Sequence, residues 1–261
     1  MKTVILCGGM GTRIRDANEN LPKPLLPIGG KPILWHIMKG YAHHGFKDFV
    51  LCLGYKGWSI KEFFLNYQRM SSDLLVTLGP TGATELLDPA LLDDWRVILA
   101  DTGEATMTGG RLAAVRKYVE ADDLVMLTYG DGVANVDLKR LVAFHRGHGK
   151  IATVTAVRPP GRFGELSVAS GTVSEFNEKP QAAGGLINGG FFVFDTRRIW
   201  NYVKSDPGTI LEAEPMRALV RDKQLAAFEH EGFWQPMDTL REFNLLNDLW
   251  ASGRAPWKVW A

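Results

Sequence analysis

A short apolar segment near the N-terminus runs directly into a glycine-rich loop, and this junction constrains the fold more than any other part of the sequence. Residues 3–7 are largely apolar, and Gly8-Gly9-Met10-Gly11-Thr12-Arg13 follows without a break. A buried strand that opens into a glycine-rich turn brings several backbone N–H groups to one point, unobstructed by side chains. Arg13 and Lys23 add positive charge to the same region. The combination predicts a binding site for a polyphosphate.

The loop differs from the two common phosphate-binding motifs. A P-loop requires G-x-x-x-x-G-K-[ST], and a dinucleotide-binding fold requires G-x-G-x-x-G. Here the glycines are packed together and an arginine closes the turn. A plain turn between strand and helix is the alternative, but a plain turn would not need the charges of Arg13 and Lys23.

The segments that follow the loop predict the fold class. Apolar residues at four-residue spacing from Ile33 predict a helix over 32–44, and the unbroken apolar run 48–53 is typical of a parallel strand covered on both faces. A second helix is expected over 60–67. This order predicts an α/β fold with a doubly wound, mixed but mostly parallel sheet.

The rest of the chain continues this order after one unclear segment. Residues 71–105 contain two possible strands, 74–78 and 97–100, but Gly79-Pro80-Thr81-Gly82 interrupts the pattern, so we expect an excursion from the sheet. Downstream, the pattern predicts helices over 110–119, 136–148, 210–222 and 238–250, strands over 124–129, 151–157 and 191–194, and a hairpin of 165–168 with 173–176. We expect one domain over 1–261 with a β-rich insertion in its second half.

Composition excludes several classes of function. The formal net charge of +1 provides no broad basic face for nucleic acid, and the apolar runs are far shorter than the roughly 20 residues of a membrane span. A strand that begins at residue 3 leaves no room for a signal peptide. Cys7 and Cys52 both fall in strand-like runs and are expected to be buried free thiols, with a disulfide as the alternative. These observations favour a cytoplasmic protein.

Two isolated acids are candidate metal ligands. Asp131 lies on a glycine-flanked turn just past a predicted strand, and Asp238 lies just before the last helix. Ligands of open α/β sheets bind outside the carboxyl ends of the strands, so Asp131 is expected at the functional edge. Two carboxylates could hold Mg²⁺, which is usually shared with substrate phosphates. Asp238 is explained equally well as a helix N-cap.

Polar residues in the second half could bind a small hydroxylated molecule that carries one phosphate. Glu178 and Lys179 follow a predicted strand, and Asn188 precedes two glycines and the next strand. A solvated loop with a turn asparagine explains the same pattern. Elsewhere, residues 106–111 open a helix, whose backbone could bind an anion or a base edge. No histidine or cysteine spacing fits zinc, and no serine or cysteine nucleophile motif is present.

These residues resemble a known family. Residues 6–13 together with Pro22-Lys23-Pro24 resemble the motif of the sugar-1-phosphate nucleotidylyltransferases. The resemblance runs nearly end to end and implies a Rossmann-like nucleotidyltransferase fold, with a nucleotide-binding half over about 1–157 and a sugar-phosphate-binding half over about 158–261. It is weakest over 71–96. Further stretches are similar to members that convert CTP and glucose 1-phosphate into CDP-glucose and pyrophosphate: 30–38, 101–103, 107–111, 128–132, 159–164, 187–192 and 232–239.

The resemblance also implies roles for single residues. Nucleotide binding is implied for Leu6, Gly8, Gly9, Gly11, Thr12, Arg13, Lys23, Thr106, Arg111 and Gly130. Arg13, Lys23 and Asp131 would be catalytic, Asp131 and Asp238 would bind Mg²⁺, and Glu178, Lys179 and Asn188 would bind the sugar phosphate. Cys7 departs from the family pattern, which usually has alanine there. The family further implies a homo-oligomer, with 71–105 or the C-terminus as candidate contacts.

Three alternatives stay open from the sequence. Another nucleotide or another sugar phosphate could be the substrate, because base choice depends on loop geometry. A glycosyltransferase would also combine a nucleotide fold with a metal acid, but it usually shows an Asp-x-Asp element, and here there is only Gly130-Asp131-Gly132. A nucleotide-binding regulator would not require a second metal ligand.

Overall fold

A computed structural model describes residues 1–9, 20–87, 93–159, 165–169, 172–177 and 185–260. The strands are β1 Thr3–Leu6, β2 Pro27–Ile28, β3 Lys31–Pro32, β4 Asp48–Leu53, β5 Leu74–Thr77, β6 Ala83–Leu86, β7 Arg96–Asp101, β8 Leu124–Tyr129, β9 Gly132–Ala134, β10 Ala152–Val157, β11 Glu165–Ala169, β12 Thr172–Asn177, β13 Ile187–Asp195, β14 Leu225–His230 and β15 Trp234–Pro236. The α-helices are α1 Ile33–His43, α2 Gly57–Leu65, α3 Tyr67–Ser71, α4 Thr108–Ala114, α5 Arg116–Val119, α6 Leu138–His148, α7 Glu214–Arg221 and α8 Leu240–Ala251.

Seven strands form the central sheet, in the order β14-β10-β13-β8-β1-β4-β7. Strand β13 is antiparallel to both of its neighbours, and the other pairs are parallel. The predicted α/β class with a mixed, mostly parallel sheet is therefore confirmed.

Both faces of the sheet are covered, which explains the unbroken apolar strands. In β1, Ile5 packs with α1 residues such as Met38 on one face, while Val4 packs with Leu112 and Val125 on the other. A strand buried on both faces has no reason to alternate with polar residues. Cys7 and Cys52 are both buried and free, and they belong to the clusters on opposite faces. The expectation of free thiols is confirmed.

The excursion expected after residue 71 is a hairpin. Strands β5 and β6 pair only with each other, outside the central sheet, and β7 then returns to the sheet beside β4. Three side chains of this segment, Leu75, Val76 and Leu78, are more than half exposed. The strand expected over 74–78 and the one over 97–100 are confirmed, whereas β6 was not predicted.

Several predicted boundaries were wrong. The helix expected over 210–222 is confined to Glu214–Arg221, and the one expected over 110–119 is divided into α4 and α5. The last helix begins at Leu240 rather than at residue 238. Strand β14 and the short strands β2, β3, β9 and β15 were not predicted. Among the described residues, no helix has the length and apolar character needed to span a membrane.

Candidate active site

The carboxyl ends of β1 and β8 meet at one edge of the sheet and define the site. The Gly130 N–H donates to the Leu6 carbonyl at 3.0 Å, which joins the loops that follow these two strands. A Cβ at Gly130 would lie 3.0 Å from the Leu6 oxygen and 3.1 Å from the Cys7 sulfur. A side chain here would press on this close backbone contact, which favours glycine. Asp131 follows immediately, at the edge predicted for it.

Lys23 contacts both candidate metal ligands. Its Nζ lies 2.7 Å from Asp131 Oδ2 and 2.6 Å from Asp238 Oδ1, and its side chain is only 10% exposed. Lys23 begins a short 3-10 helix that ends at Leu25, in which the Leu25 N–H donates to the Pro22 carbonyl at 2.8 Å. The prolines on either side of Lys23 have fixed φ and hold the backbone from which this side chain extends.

The two aspartates determine the protonation state of Lys23. Burial acts to lower the pKa of Lys23, but the charge and the hydrogen bonds of Asp131 and Asp238 outweigh burial, so the pKa is raised above its ordinary value. Lys23 is therefore an ammonium between two carboxylates. One ammonium and two carboxylates give the group a net charge of −1.

A short two-stranded ribbon brings the two aspartates together. Strands β9 and β15 pair with Gly132 opposite Pro236, and the Met237 N–H donates to the Asp131 carbonyl at 2.8 Å. Asp131 and Asp238 thus lie at adjoining ends of the ribbon, more than 100 residues apart in sequence. Sequence reasoning could not derive this pairing, because neither three-residue strand was predicted.

The N-cap alternative for Asp238 is wrong. Thr239 is the N-cap of α8, and its hydroxyl accepts from the Glu242 N–H at 3.4 Å. The Glu242 carboxylate accepts in return from the N–H groups of Thr239 at 2.9 Å and of Asp238 at 2.6 Å. This capping box holds the backbone of Asp238 and leaves its carboxylate directed at Lys23.

The two carboxylates fit a divalent cation. A single ammonium already contacts one oxygen of each, so one cation can bind to both at once. Within the described part of the chain, no group of three or more His, Cys, Asp or Glu side chains could hold a metal ion. Among the described residues, the remaining ligands would be water or substrate phosphate, which is the mode of binding that Mg²⁺ prefers.

Arg111 is buried and binds backbone oxygens of three loops. Its guanidinium donates to the carbonyls of Leu53 at 2.9 Å and Gly8 at 3.1 Å, and to the Thr102 hydroxyl at 2.7 Å. It also donates to the carbonyls of residues 103 and 104, at 2.9 and 3.1 Å. Burial lowers the pKa of Arg111 below its ordinary value. Arg111 thus fixes the start of the glycine loop relative to the ends of β4 and β7.

The start of α4 is covered by the segment that precedes α7. The Met107 N–H donates to the Pro207 carbonyl at 2.8 Å, and the Gly110 N–H donates to the Thr209 carbonyl at 3.0 Å. These two N–H groups are therefore hydrogen-bonded to carbonyls of the protein rather than to an anion. Thr106, which is partly buried, lies beside Gly103 in the loop that Arg111 holds.

Asn188 belongs to a hydrogen-bonded chain that the sequence did not indicate. Its side-chain amide donates to the Tyr129 hydroxyl at 3.2 Å, and Tyr129 in turn donates to one oxygen of Glu212. The other carboxylate oxygen of Glu212 accepts from Thr108 at 2.6 Å. Burial, followed by the charge of Glu212, raises the pKa of Tyr129. The chain connects the start of β13 with the start of α4.

The structure brings together only part of the predicted site. Leu6, Gly8, Lys23, Gly130, Asp131 and Asp238 lie at the shared edge of the sheet, with Arg111 behind the glycine loop. Gly9 is exposed at the end of the described part of that loop. Gly11, Thr12, Arg13, Glu178 and Lys179 lie outside the described residues.

Comparison with known proteins defines the class. The chain belongs to the nucleotidyl transferase family, whose family model matches residues 2–244. It is 51% identical over 260 residues to a glucose-1-phosphate cytidylyltransferase of Salmonella typhimurium, and 42% identical over 260 residues to a probable glucose-1-phosphate cytidylyltransferase of Bacillus subtilis. In both comparisons the match covers 100% of each protein. The resemblance found in the sequence is confirmed.

Solved structures support the fold. HddC from Yersinia pseudotuberculosis matches with a TM-score of 0.66 over 95% of this chain and 99% of that one, at 20% identity. A putative glucose-1-phosphate thymidylyltransferase from Bacillus anthracis gives the same TM-score and identity, with 95% and 94% covered. At this identity the likeness shows the nucleotidyltransferase fold alone.

Proposed function

We propose that this chain transfers a cytidylyl group from CTP to α-D-glucose 1-phosphate and releases CDP-glucose and pyrophosphate, with Mg²⁺ as its cation. The contact of Lys23 with both Asp131 and Asp238 carries the proposal. In this contact an ammonium and two carboxylates, which we propose as metal ligands, lie together at the carboxyl edge of the sheet. The full-length relatives named for this reaction supply the choice of CTP and glucose 1-phosphate.

The reaction needs charge and position rather than a protein nucleophile. A phosphate oxygen of the sugar phosphate attacks the α-phosphorus in line, and pyrophosphate leaves. A sugar phosphate is largely dianionic near neutral pH, so no general base is required. Two polyanions must be brought together, and phosphoryl transfer depends mainly on positioning and electrostatic stabilisation.

Lys23 supplies positive charge at the reacting centre. At about 4 Å and an effective dielectric constant of roughly 20, one pair of unit charges is worth about 4 kcal/mol. Asp131 and Asp238 would hold Mg²⁺, which neutralises charge on the phosphates when it is bound. Leu6, Gly8, Gly9, Gly11, Thr12, Arg13, Thr106, Arg111 and Gly130 complete the proposed nucleotide site, with Arg111 acting through the loop carbonyls that it holds.

The sugar phosphate is proposed to bind on the side of β13. Asn188 stands at the start of this strand, and its amide is oriented by Tyr129. Glu178 and Lys179 are proposed to bind the sugar hydroxyls and the phosphate. The two halves proposed for the single domain, about 1–157 and 158–261, would thus each bind one substrate.

We further propose a cytoplasmic homo-oligomer. The exposed apolar side chains of the β5–β6 hairpin, Leu75 and Val76 among them, support a contact between copies in the 71–105 region. Size-exclusion chromatography with light scattering tests this. A monomer over the working concentration range would contradict it.

A panel of nucleotides tests the proposed reaction. The protein is incubated with Mg²⁺, glucose 1-phosphate and each of CTP, UTP, dTTP, GTP and ATP in turn, and pyrophosphate release is measured. We expect CTP to be preferred by at least tenfold in kcat/KM. Preference for another nucleotide would assign the chain a different nucleotide specificity. If no nucleotide gave pyrophosphate release, a nucleotide-binding protein without this activity would be favoured. Mannose 1-phosphate in place of glucose 1-phosphate tests the sugar.

Variants test the assigned residues. Lys23→Ala and Asp131→Ala should each remove most turnover and leave the circular dichroism spectrum unchanged. Near-normal rates in either variant would overturn the site. Lys179→Ala should raise the KM for the sugar phosphate more than the KM for CTP. Equal effects on the two KM values would contradict the assignment of Lys179 to the sugar-phosphate site.

A further inference from the structure

We propose that Lys23 is an internal counter-ion that competes with the divalent cation for Asp131 and Asp238, so that the cation binds together with the nucleotide and not before it. The inference rests on the proposed function, because a nucleotide phosphate must supply the new partner of Lys23. It concerns the order of binding, which the reaction itself does not determine.

The first argument is geometric. The Lys23 ammonium lies 2.7 Å from one Asp131 oxygen and 2.6 Å from one Asp238 oxygen, which is where a cation shared by the two carboxylates would bind. Both contacts are hydrogen bonds as well as ion pairs. The ammonium and a divalent cation cannot occupy the same position between these oxygens. A cation that takes this shared position therefore requires Lys23 to move.

The second argument concerns the ligands that remain. In the described part of the chain, no third His, Cys, Asp or Glu side chain joins this pair to complete a metal site. Two carboxylates alone give Mg²⁺ few protein ligands, and the ion relies on water and phosphate for the rest. The described residues thus offer two carboxylates whose negative charge is already partly neutralised by Lys23.

The third argument is that Lys23 can exchange partners without moving its backbone. The backbone is held by the hydrogen bond from Leu25 to Pro22 and by that from Leu26 to the Lys23 carbonyl, at 2.8 and 3.1 Å. The four-carbon stem of lysine is flexible and ends in three donors. When a nucleotide phosphate enters, the ammonium can transfer to it while the cation binds to the aspartates.

The exchange makes binding of cation and nucleotide cooperative. Without nucleotide, displacing Lys23 leaves a mostly buried ammonium without an anion, which opposes cation binding. When the nucleotide is bound, its phosphates contact both the Lys23 ammonium and the divalent cation. By linkage, each ligand then strengthens the other by the same factor, and couplings of roughly 5- to 150-fold are typical.

Removal of the ammonium tests the proposal directly. Mn²⁺ is titrated into the nucleotide-free protein, and free Mn²⁺ is measured by electron paramagnetic resonance. We expect Lys23→Met to bind Mn²⁺ on the order of tenfold more tightly than the wild type. Lys39→Met is the matched control, because Lys39 forms a comparable partly buried pair with Asp93 at 2.9 Å, outside the site. It should leave Mn²⁺ binding unchanged.

Two further measurements complete the test. The double variant Lys23→Met/Asp131→Asn should lose the added affinity, and if it keeps that affinity the proposal is overturned. In the wild type, a non-hydrolysable CTP analogue should tighten Mn²⁺ binding on the order of tenfold or more. This second measurement requires no variant to fold.

The outcomes separate this proposal from the proposed function. A Lys23→Met protein that is folded but binds Mn²⁺ no more tightly than the wild type would overturn the counter-ion role. Tight Mn²⁺ binding by the nucleotide-free wild type would do the same. Neither result depends on turnover, and the nucleotide panel measures turnover without reference to the order of binding.

Discussion

The guanidinium of Arg111 lies directly against Gly8 and donates to its carbonyl at 3.1 Å. A Cβ at Gly8 would overlap this guanidinium, and a Cβ at Gly54 would lie 2.6 Å from two of its nitrogens. Two glycines therefore make room for one buried arginine. The glycine at the start of the loop is required by packing, in addition to any contact with a ligand.

Gly8→Ala should destabilise the protein because the new methyl group must displace Arg111 or the loop. Overpacking at a buried position typically costs about 1–3 kcal/mol. Urea unfolding followed by circular dichroism measures the loss. Gly9→Ala is the matched control, since among the described residues, its chain neighbours aside, no atom lies within 4 Å of a Cβ at that position. Equal stability of the Gly8 and Gly9 variants would contradict the packing role.

Arg111→Lys should destabilise the protein although the charge is kept. The guanidinium serves five oxygen acceptors in three loops, whereas an ammonium has three donors on a differently shaped head. Unsatisfied buried carbonyls should lower the free energy of unfolding by roughly 2–4 kcal/mol. The KM for CTP should rise as well, because the glycine loop loses its support.

The control for this substitution is Arg116→Lys. Arg116 forms an exposed pair with Glu120 at 2.9 Å, and such pairs contribute little to stability. Its effect on the free energy of unfolding should stay within about 0.5 kcal/mol. If Arg111→Lys were equally mild, the five hydrogen bonds would not be holding the loops.

Glu242→Ala should weaken cation binding from outside the cation site. The Glu242 carboxylate accepts from the Asp238 N–H at 2.6 Å and so fixes the backbone next to a proposed metal ligand. We expect the Mg²⁺ concentration for half-maximal activity to rise several-fold. Loss of the cap should also lower the Tm by about 2–4 °C.

Thr239→Ala separates these two effects. It removes the other half of the same capping box, the Thr239 hydroxyl that accepts from the Glu242 N–H, and leaves the contact with Asp238 in place. Its Tm should fall by a similar amount with no change in the Mg²⁺ requirement. A similar rise in that requirement for both variants would show that the helix end, rather than the Asp238 contact, determines it.

The sequence predicts the sheet edge better than it predicts the site. The strands that end at Leu6 and Tyr129 are largely apolar because both faces are buried, so their ends, and with them Asp131, are apparent from the pattern. The approach of Asp238 to Asp131 depends on pairing between two three-residue strands 100 residues apart. Such short strands are stabilised by their partners and carry little local preference.

Side-chain partners were still harder to predict. The resemblance implied nucleotide binding for Arg111, yet its buried guanidinium donates to carbonyls of the protein. Glu212 lies in none of the stretches that the sequence singled out as motifs, and its contact with Tyr129 arises from the segment that folds over α4. The role of Lys23 as the partner of both aspartates follows only from three-dimensional proximity.

The neutral state of His36 makes stability depend on pH. Its Nε2 lies 2.8 Å from the Ile28 carbonyl, which requires a proton on that nitrogen, and its Nδ1 lies 3.4 Å from the indole N–H of Trp257, which requires a lone pair. Only the neutral ring satisfies both. Burial lowers the pKa of His36 to about 4, against an ordinary value near 6.5.

The sign of the pH effect follows from this lowered pKa. Between about pH 6.5 and 4 the unfolded chain binds a proton at His36 that the folded protein does not, so stability falls as the pH falls. The contribution of His36 to this loss should approach about 1.4 kcal/mol per pH unit within this window and total roughly 3 kcal/mol. Urea unfolding at pH 7, 6 and 5 measures it.

His36→Gln should be less stable at pH 7 but show a shallower pH dependence, whereas His43→Gln, at an exposed position of the same helix, should keep the wild-type slope. An unchanged slope in His36→Gln would assign the acid sensitivity to other groups.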